Sequence, residues 1–385
     1  MQITISVLGR FHLFHLAREL QDHGYLRRLI TSYPVFETVR SGVARENIES
    51  LVAHEILNRI GVNFPQALRS IFNPQYLVFE FFDYHASYHI PCDTDIFVGL
   101  SSGSLHSLRR AKRLGAITVL ERGSTHMLHQ RQVLTEEYER LGIKATIVHP
   151  MVVDKELAEY READFISVPS QYVKRTFLDQ GIPENKLIQN PYGVNLTNFF
   201  PVPKKDNVFR VIHCGTLSIR KGLHYLLQAF WELNLPKAEL WLIGALTKEI
   251  VPFLKKYLSP AIVLKGHLPE RELHTYYSQG SVYCLASIEE GLAVVQAQAM
   301  ACGLPVVTTT NTGGEDIVRN GVDGFIVPIR DVDALKEKIL YFYENEAARR
   351  AMGASALDRV KEGFTWKDYA DRMINHYQKI LNKGS

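Results

Sequence analysis

Residues Ser281 to Val307 read SVYCLASIEEGLAVVQAQAMACGLPVV, and this order of residue types decides the fold. Val282 to Ala286 forms an apolar run with the length of a buried strand. A loop follows, ending in Glu289-Glu290-Gly291. Leu292 to Cys302 has helical composition, Gly303 suits a helix C-cap, and Pro305 prevents continuation into the next strand, Leu304 to Thr309. A strand–loop–helix–strand unit of this kind places its loop at the carboxyl end of a parallel strand, where open α/β sheets bind ligands. The helix start offers backbone N–H groups and a positive dipole end, which suit a phosphate. Two carboxylates stand just before it, and a phosphate alone does not want them. A ligand with phosphate at one end and hydroxyls at the other fits both facts, and a nucleotide sugar is such a ligand.

The same alternation runs outward in both directions. Strand candidates in the first half are Ile3–Leu8, Ile96–Leu100, Thr118–Leu120, Phe165–Val168 and Leu187–Gln189. In the second half they are Arg210–His213, Glu239–Ile243, Ile262–Leu264, Val282–Leu285, Pro305–Thr309 and Gly324–Val327. Helices are expected after Gly103, Asp154, Gln171, Lys221, Glu270, Gly291 and Asp331, with a first helix from Arg10 to Leu20. This is the pattern of an α/β chain with two doubly wound, Rossmann-like domains. The polar, proline-bearing segment Pro201 to Asn207 reads as the linker, dividing residues 1–200 from residues 201–363. Phe364 to Leu381, with Trp366, Tyr369, Met373, Tyr377 and Ile380, reads either as a helix crossing back onto the first domain or as an ordinary terminal packing helix.

A chain of 385 residues can bury two cores, and 46% hydrophobic with 22% charged residues is ordinary for a water-soluble globular protein. The formal charge is +3, with 21 basic and 21 acidic residues before position 201, which argues against a general nucleic-acid binder. Cys92, Cys214, Cys284 and Cys302 show no CxxC spacing and read as reduced thiols. The start MQITISVLG runs as a strand into a Gly turn, with none of the regions of a signal peptide, and no apolar run reaches the length of a membrane span. A cytoplasmic location is expected. Arg109, Arg110, Lys112 and Arg113 lie on one helix, either as a solvated face or as a contact with a phosphorylated acceptor or with anionic lipid at the inner face of a membrane. The aromatic span Phe72 to Tyr88 reads as core packing, the alternatives being the lining of an acceptor groove or a membrane contact. Asp93-Thr-Asp95 spells a three-residue metal motif, but it precedes a strand and reads as a loop of solvated acids.

Gly215-Thr216-Leu-Ser-Ile-Arg220-Lys221-Gly222 follows the first strand of the second half. Its glycines allow a tight turn and close backbone approach to a ligand. Arg220 and Lys221 stand at a helix start, where the dipole disfavours cations unless an anion is present, so they are assigned to a diphosphate. The alternative is a solvated basic pair. Glu290 is either a ligand for sugar hydroxyls or a cap for the following helix, and Glu289 is its solvated neighbour.

Glu290 followed by Ala299-Met300-Ala301-Cys302-Gly303 resembles the signature of glycosyltransferase family 4, a group of retaining enzymes with the GT-B fold. Ala163 to Ser170, Asn190 to Asn195, Gly313 to Ile317 and Asn320 to Phe325 resemble further landmarks of that family. Gln298 stands where the family has a second Glu that holds the nucleotide ribose, and Ala293 replaces a usual Gly. Gln can still accept and donate hydrogen bonds, but it lacks the carboxylate's charge-assisted bond.

The resemblance implies a retaining transfer of a sugar from a UDP-, GDP- or ADP-sugar to a sugar, lipid-linked or other hydroxyl acceptor, in polysaccharide or glycolipid assembly. It implies a donor-binding second domain and an acceptor-binding first domain, with no metal and no cofactor. Glu290, Lys221, Arg220 and His126 are then the expected catalytic residues. Gly215, Thr216, Gly291, Leu292, Ala293, Val294, Gln298 and, across the cleft, Gly9 are the expected donor contacts. Glu121 and Arg122 are expected on the acceptor side, where relatives often carry a His. His12 and His15, close to Gly9, read as surface residues, the alternative being that one of them faces the cleft. Two rival functions remain: a nucleotide-sugar epimerase or hydrolase of the same fold, and a non-catalytic scaffold, the latter motivated by Gln298 and Ala293.

Overall fold

The computed structural model describes residues 1–9, 11–53, 74–144 and 147–384. The strands of the first half are β1 (Ile3–Val7), β2 (Leu26–Thr31), β3 (Ile48–Ser50), β4 (Ile96–Leu100), β5 (Ile117–Glu121), β6 (Phe165–Val168) and β7 (Leu187–Gln189). Those of the second are β8 (Phe209–Cys214), β9 (Ala238–Ile243), β10 (Ile262–Gly266), β11 (Val282–Leu285), β12 (Val306–Thr309) and β13 (Gly324–Val327). β1, β8, β11 and β12 are buried along their whole length, as strands covered by helices on both faces must be.

Among the described residues the strands form two parallel sheets, a seven-stranded one ordered β3-β2-β1-β4-β5-β6-β7 and a six-stranded one ordered β10-β9-β8-β11-β12-β13. In both the order reverses beside the first strand, between β1 and β4 and between β8 and β11. The loops leaving those strands therefore diverge and open a crevice at the carboxyl edge of each sheet. Four segments carry those loops: Leu8 to His12, Ser101 to Ser104, Gly215 to Gly222 and Ala286 to Ala293.

The helix Trp366–Gly384 lies against the helix Leu13–Asp22 of the first domain. The side chains of Trp366, Tyr369, Met373, Tyr377 and Ile380 are all buried. One apolar cluster runs from Ile3, Ile5 and Val7 through these residues to Ala297 and Met300 of the second domain. Each large side chain so buried contributes about 1.5–3 kcal/mol relative to exposure.

Several expectations are corrected. β2 and β3 were not expected. The helix expected after Asp154 begins at Pro150, with the His149 ring accepting from the Met151 amide as its cap. The helix expected from Leu292 spans Val294–Ala301, so Leu292 and Ala293 belong to the loop. Of the span Phe72 to Tyr88, Phe72 lies outside the described residues. The helix Pro74–Tyr88 buries Val78, Phe82 and Ala86 but exposes Leu77, Phe81, Tyr84 and Tyr88, so only one of its faces is core. Arg10 also lies outside the described residues, and the first helix starts at Leu13. Cys214, Cys284 and Cys302 are buried thiols, and Cys92 is exposed. Asp93 pairs with Arg27 at 2.9 Å, and Asp95 accepts from the Gln2 amide at 2.6 Å.

Candidate active site

In the second domain the β8 loop is pressed against the β11 loop. Gly222 has φ 62°, and a Cβ there would lie 1.8 Å from the Ala286 carbonyl oxygen, so only Gly serves at that point. The Ile288 amide donates to the Arg220 carbonyl at 2.9 Å, and the Glu290 amide to the Asn311 carbonyl at 2.9 Å. These bonds put the two cations of one loop beside the two carboxylates of the other. Lys221 Nζ pairs with Glu290 Oε1. Arg220 Nη2 lies 2.9 Å from Glu289 Oε2 and 4.0 Å from Glu290 Oε2. Gly215 (φ 140°) and the exposed Thr216 begin the same loop. The Ala293 amide is committed to the Thr312 carbonyl, so of the three amides expected to meet the ligand it is not available.

Glu289 is not the solvated neighbour expected from the sequence. Its side chain is wholly buried and faces the first domain. Its Oε1 accepts from Ser124 Oγ at 2.6 Å and from Thr125 Oγ1 at 2.7 Å, and its Oε2 accepts from Gln130 Nε2 at 3.0 Å. Burial pushes the Glu289 carboxyl up, but the Arg220 charge and the donors of Ser124 and Thr125 outweigh it and hold the group at about 2. Glu290 is the carboxylate left beside Lys221, with Ser287 Oγ at 3.4 Å.

The first-domain side of this contact is the segment Arg122 to His126, at the end of β5. Arg122 is buried and supports it from below. Its Nε donates to the Thr125 carbonyl at 3.1 Å, its Nη1 to Glu156 at 3.1 Å, and its Nη2 to Gln130 Oε1 at 2.9 Å. A continuous chain of polar side chains thus runs Glu156, Arg122, Gln130, Glu289, Arg220. It joins the interior of one domain to the cationic loop of the other. Gly123 and Gly291 meet at the crossing, where a Cβ on Gly291 would lie 2.0 Å from the Gly123 carbonyl oxygen.

His126 is corrected as a contact for the acceptor. It caps the helix Met127–Arg140, its Nδ1 accepting from the Leu128 amide at 3.3 Å. Its ring is buried against Tyr160 and Phe177, with centroids 4.9 and 5.0 Å away. Burial, then the positive charge of Arg122, pulls it down to about 4, so it is neutral near pH 7.

His12 lies in the cleft, the alternative to the surface position in the sequence reading. Its Nε2 lies 3.2 Å from Glu121 Oε2, and its ring rests on Tyr192 with centroids 4.3 Å apart. Glu121, buried at the end of β5, also accepts from the Tyr369 hydroxyl at 3.3 Å. His15 stacks on Trp366 at 4.2 Å. The signal was present in the sequence: both histidines follow the Gly9 turn at the end of β1, the switch point of the first sheet. Gly9 has φ 85° and donates its amide to Ser32 Oγ at 3.0 Å.

Between the domains lies a cleft of about 1010 Å³. His12, Ser101, Gly123, Ser124 and Trp366 line it from one side, and Arg271, Val294 and Gln298 from the other. Gln298 is anchored by the Tyr277 hydroxyl, which donates to its Oε1 at 3.3 Å. The cleft joins the charged cluster at Ser124, whose Oγ is 3.3 Å from Arg220 Nη2. Arg220, Lys221 and Glu290 lie next to the cleft rather than in its lining, two cations beside one carboxylate. On the outer face of the first domain, Arg109 and Lys112 are paired with Glu162 and Asp164, both at 2.9 Å, so only part of the basic run remains for an external anion.

Residues 195–359 match the family model described as Glycosyl transferases group 1. The capsular polysaccharide biosynthesis glycosyltransferase CapM of Staphylococcus aureus is 30% identical over 185 residues, 46% of this chain and 48% of that protein. The matching part thus spans about half the length of that curated relative. Among solved structures, sucrose-phosphate synthase from Thermosynechococcus elongatus superposes with a TM-score of 0.71 at 19% identity, covering 100% of both chains. Anabaena HepE in complex with UDP superposes with a TM-score of 0.69 at 15% identity, covering 98% of this chain and 100% of that one. The two facing Rossmann-like domains are the GT-B fold of those glycosyltransferases.

Proposed function

We propose that this chain is a retaining glycosyltransferase that moves a sugar from a nucleotide diphosphate sugar to an acceptor hydroxyl, in polysaccharide or glycoconjugate assembly. The observation that carries the reading is the cluster of Arg220, Lys221 and Glu290 at the switch point of the second sheet, joined to the first domain at Ser124 on the edge of the cleft. The donor's diphosphate displaces the Glu290 carboxylate from Lys221 and takes the charge of Lys221 and Arg220. Glu290 is then released to accept from sugar hydroxyls and to stabilise positive charge developing at the anomeric carbon. The two cations supply the stabilisation of the leaving diphosphate, so no metal is required by this scheme.

For retention, the acceptor oxygen attacks the anomeric carbon on the face from which the diphosphate departs. The C–O bond to the leaving phosphate breaks as the new C–O bond forms, and a phosphate oxygen takes the acceptor's proton. Gln298 holds the ribose through neutral hydrogen bonds, in place of the family's carboxylate. Gly9 approaches the phosphate from the first domain, and Glu121 orients His12 in the acceptor half. Homology at the level of glycosyltransferases supports the transferase, and UDP in the HepE structure supports a nucleotide donor. Among the described residues no helix is long and apolar enough to cross a membrane. A cytoplasmic protein that touches the inner membrane face through Arg110 and Arg113 is consistent with that.

The test is a thermal-shift panel of UDP, GDP, ADP and their sugars, with and without divalent metal, on the wild type and on Lys221→Ala. A ligand at a hundred times its dissociation constant adds about 2.7 kcal/mol to the unit that binds it. The expected result is a metal-independent shift with one nucleotide class, reduced in Lys221→Ala together with sugar transfer. Wild-type transfer by Lys221→Ala sinks the diphosphate assignment. No shift with any nucleotide favours a scaffold instead.

A further inference from the structure

Among the described residues four guanidinium groups line the cleft, those of Arg18, Arg40, Arg122 and Arg271, against one carboxylate, Glu270. Arg122 is neutralised from behind by Glu156. The other three are differently placed. Arg18 comes from the helix Leu13–Asp22 and Arg40 from the helix Val35–Arg40. They share a wall, because the Arg18 Cδ lies 2.8 Å from the point a Cβ on Gly42 would occupy. Arg271 faces them from the second domain. Each has an acidic neighbour: Glu19 at 2.7 Å, Glu37 at 2.9 Å and Glu272 at 3.7 Å. None of those three carboxylates lines the cleft. The Arg40 and Arg271 pairs are exposed, are worth about 0–1 kcal/mol and yield readily to a better-placed anion, whereas Glu19 is buried and keeps its bond to Arg18. A guanidinium presents five donors in a planar fork, so one held by a single carboxylate keeps N–H groups for a second anion.

A neutral sugar needs no such wall, since amides and hydroxyls satisfy hydroxyl groups. We propose that the acceptor half of the cleft takes an acceptor bearing an anionic group, a phosphate ester or a carboxylate, held by Arg18 and Arg40 with Arg271 opposite. The proposal rests on the glycosyl-transfer reading for the word acceptor, but the anion site itself does not depend on it.

The test is calorimetric titration of the full chain with glucose, glucuronic acid and glucose 6-phosphate. It is done in a Lys221→Ala background, so that phosphate binding beside Lys221 does not contribute. At least one anionic probe should bind about tenfold more tightly than glucose, the discrimination expected of about one charge-assisted contact. That preference should vanish in Arg18→Gln/Arg40→Gln. Both side chains are partly exposed, and circular dichroism checks that the double variant keeps the fold. Preference for glucose 6-phosphate assigns a phosphate ester, and preference for glucuronic acid a carboxylate. Equal binding of all three probes, no saturable binding of either anion, or discrimination that survives in the double variant overturns the proposal. Anion binding by a chain that transfers no sugar keeps the anion site and removes the transferase. Transfer to neutral acceptors with no anion preference does the reverse.

Discussion

At the scale of single residues, the two adjacent carboxylates do opposite work. Glu290 is presented to the ligand side with Lys221, while Glu289 is buried as the joint between the domains. The Glu289 carboxyl sits at about 2 in the folded chain and at about 4.3 in an unfolded one. A group depressed in this way contributes stability that is fully present above the unfolded value and is lost as pH falls through the folded one. Glu289→Gln should therefore lower stability by on the order of 3 kcal/mol at pH 7, and the difference should shrink as pH falls from about 4.3 towards 2. Differential scanning calorimetry of both proteins over that range checks it, and a gap that does not narrow speaks against the charge as its cause. The sequence marked Glu290, Lys221 and Arg220 because their neighbours make a motif. It could not separate Glu289, whose partners Ser124, Thr125 and Gln130 stand 159 to 165 residues away. The His12–Glu121 pair, 109 residues apart, was hidden for the same reason, and His126 looked functional only because it stood near a strand end.

At the scale of elements, β4 and β11, buried along nearly their whole length, were legible as apolar runs, and the partly exposed β6, β7 and β13 also lie where the composition put them. β2 was not, because LRRLIT places Arg27 and Arg28 inside a strand, and their charges are carried by Asp93 and Glu49 only in the folded chain. β3 has just three residues at the sheet edge, too few to show a period. Loops are where the sequence says least and function needs most. Gly123, Gly291 and Gly313 are stacked, a Cβ on Gly313 lying 2.5 Å from the Gly291 carbonyl oxygen. Ser170 Oγ donates to that same oxygen at 2.7 Å. Gly291→Ala puts a methyl group into the Gly123 carbonyl, so the two loops must part, while the second domain keeps its own core. The expected outcome is a nucleotide thermal shift close to wild type with transfer reduced at least tenfold, about 1.4 kcal/mol of barrier. Equal loss of nucleotide binding would show that the glycine serves the donor loop alone and not the meeting of the domains.

At the scale of the molecule, the two sheets are held face to face by contacts that are polar as well as apolar. Glu137, on the helix Met127–Arg140, is buried between His224 Nε2 at 2.8 Å and Arg330 Nε at 2.6 Å, both from the second domain. Burial pushes its carboxyl up, and those two partners more than offset that, so it stays ionised to well below neutral pH. On the other flank Asp316 enters the first domain, accepting from the Gln171 amide at 2.9 Å and from Gln189 Nε2 at 2.6 Å. Neither donor is a cation. Glu315 beside it adds repulsion, while Arg175, paired with Glu315 at 2.6 Å, gives only partial relief. Burial accordingly raises Asp316 to about 6. When the domains separate, its carboxylate meets water and returns to about 3.9. The closed arrangement therefore binds a proton that the open one does not. Closure should strengthen as pH falls from about 6 towards 4, and the ionised group opposes it above that window, by on the order of 3 kcal/mol at most. Glu137 acts in the opposite direction only below its unfolded value of about 4.3, so the two effects occupy different ranges of pH. Small-angle scattering of the wild type should show a smaller radius of gyration at pH 5 than at pH 8, and Asp316→Asn should show none of that dependence. If the wild type is equally compact at both values, the proton taken up at Asp316 does not control how the two domains meet.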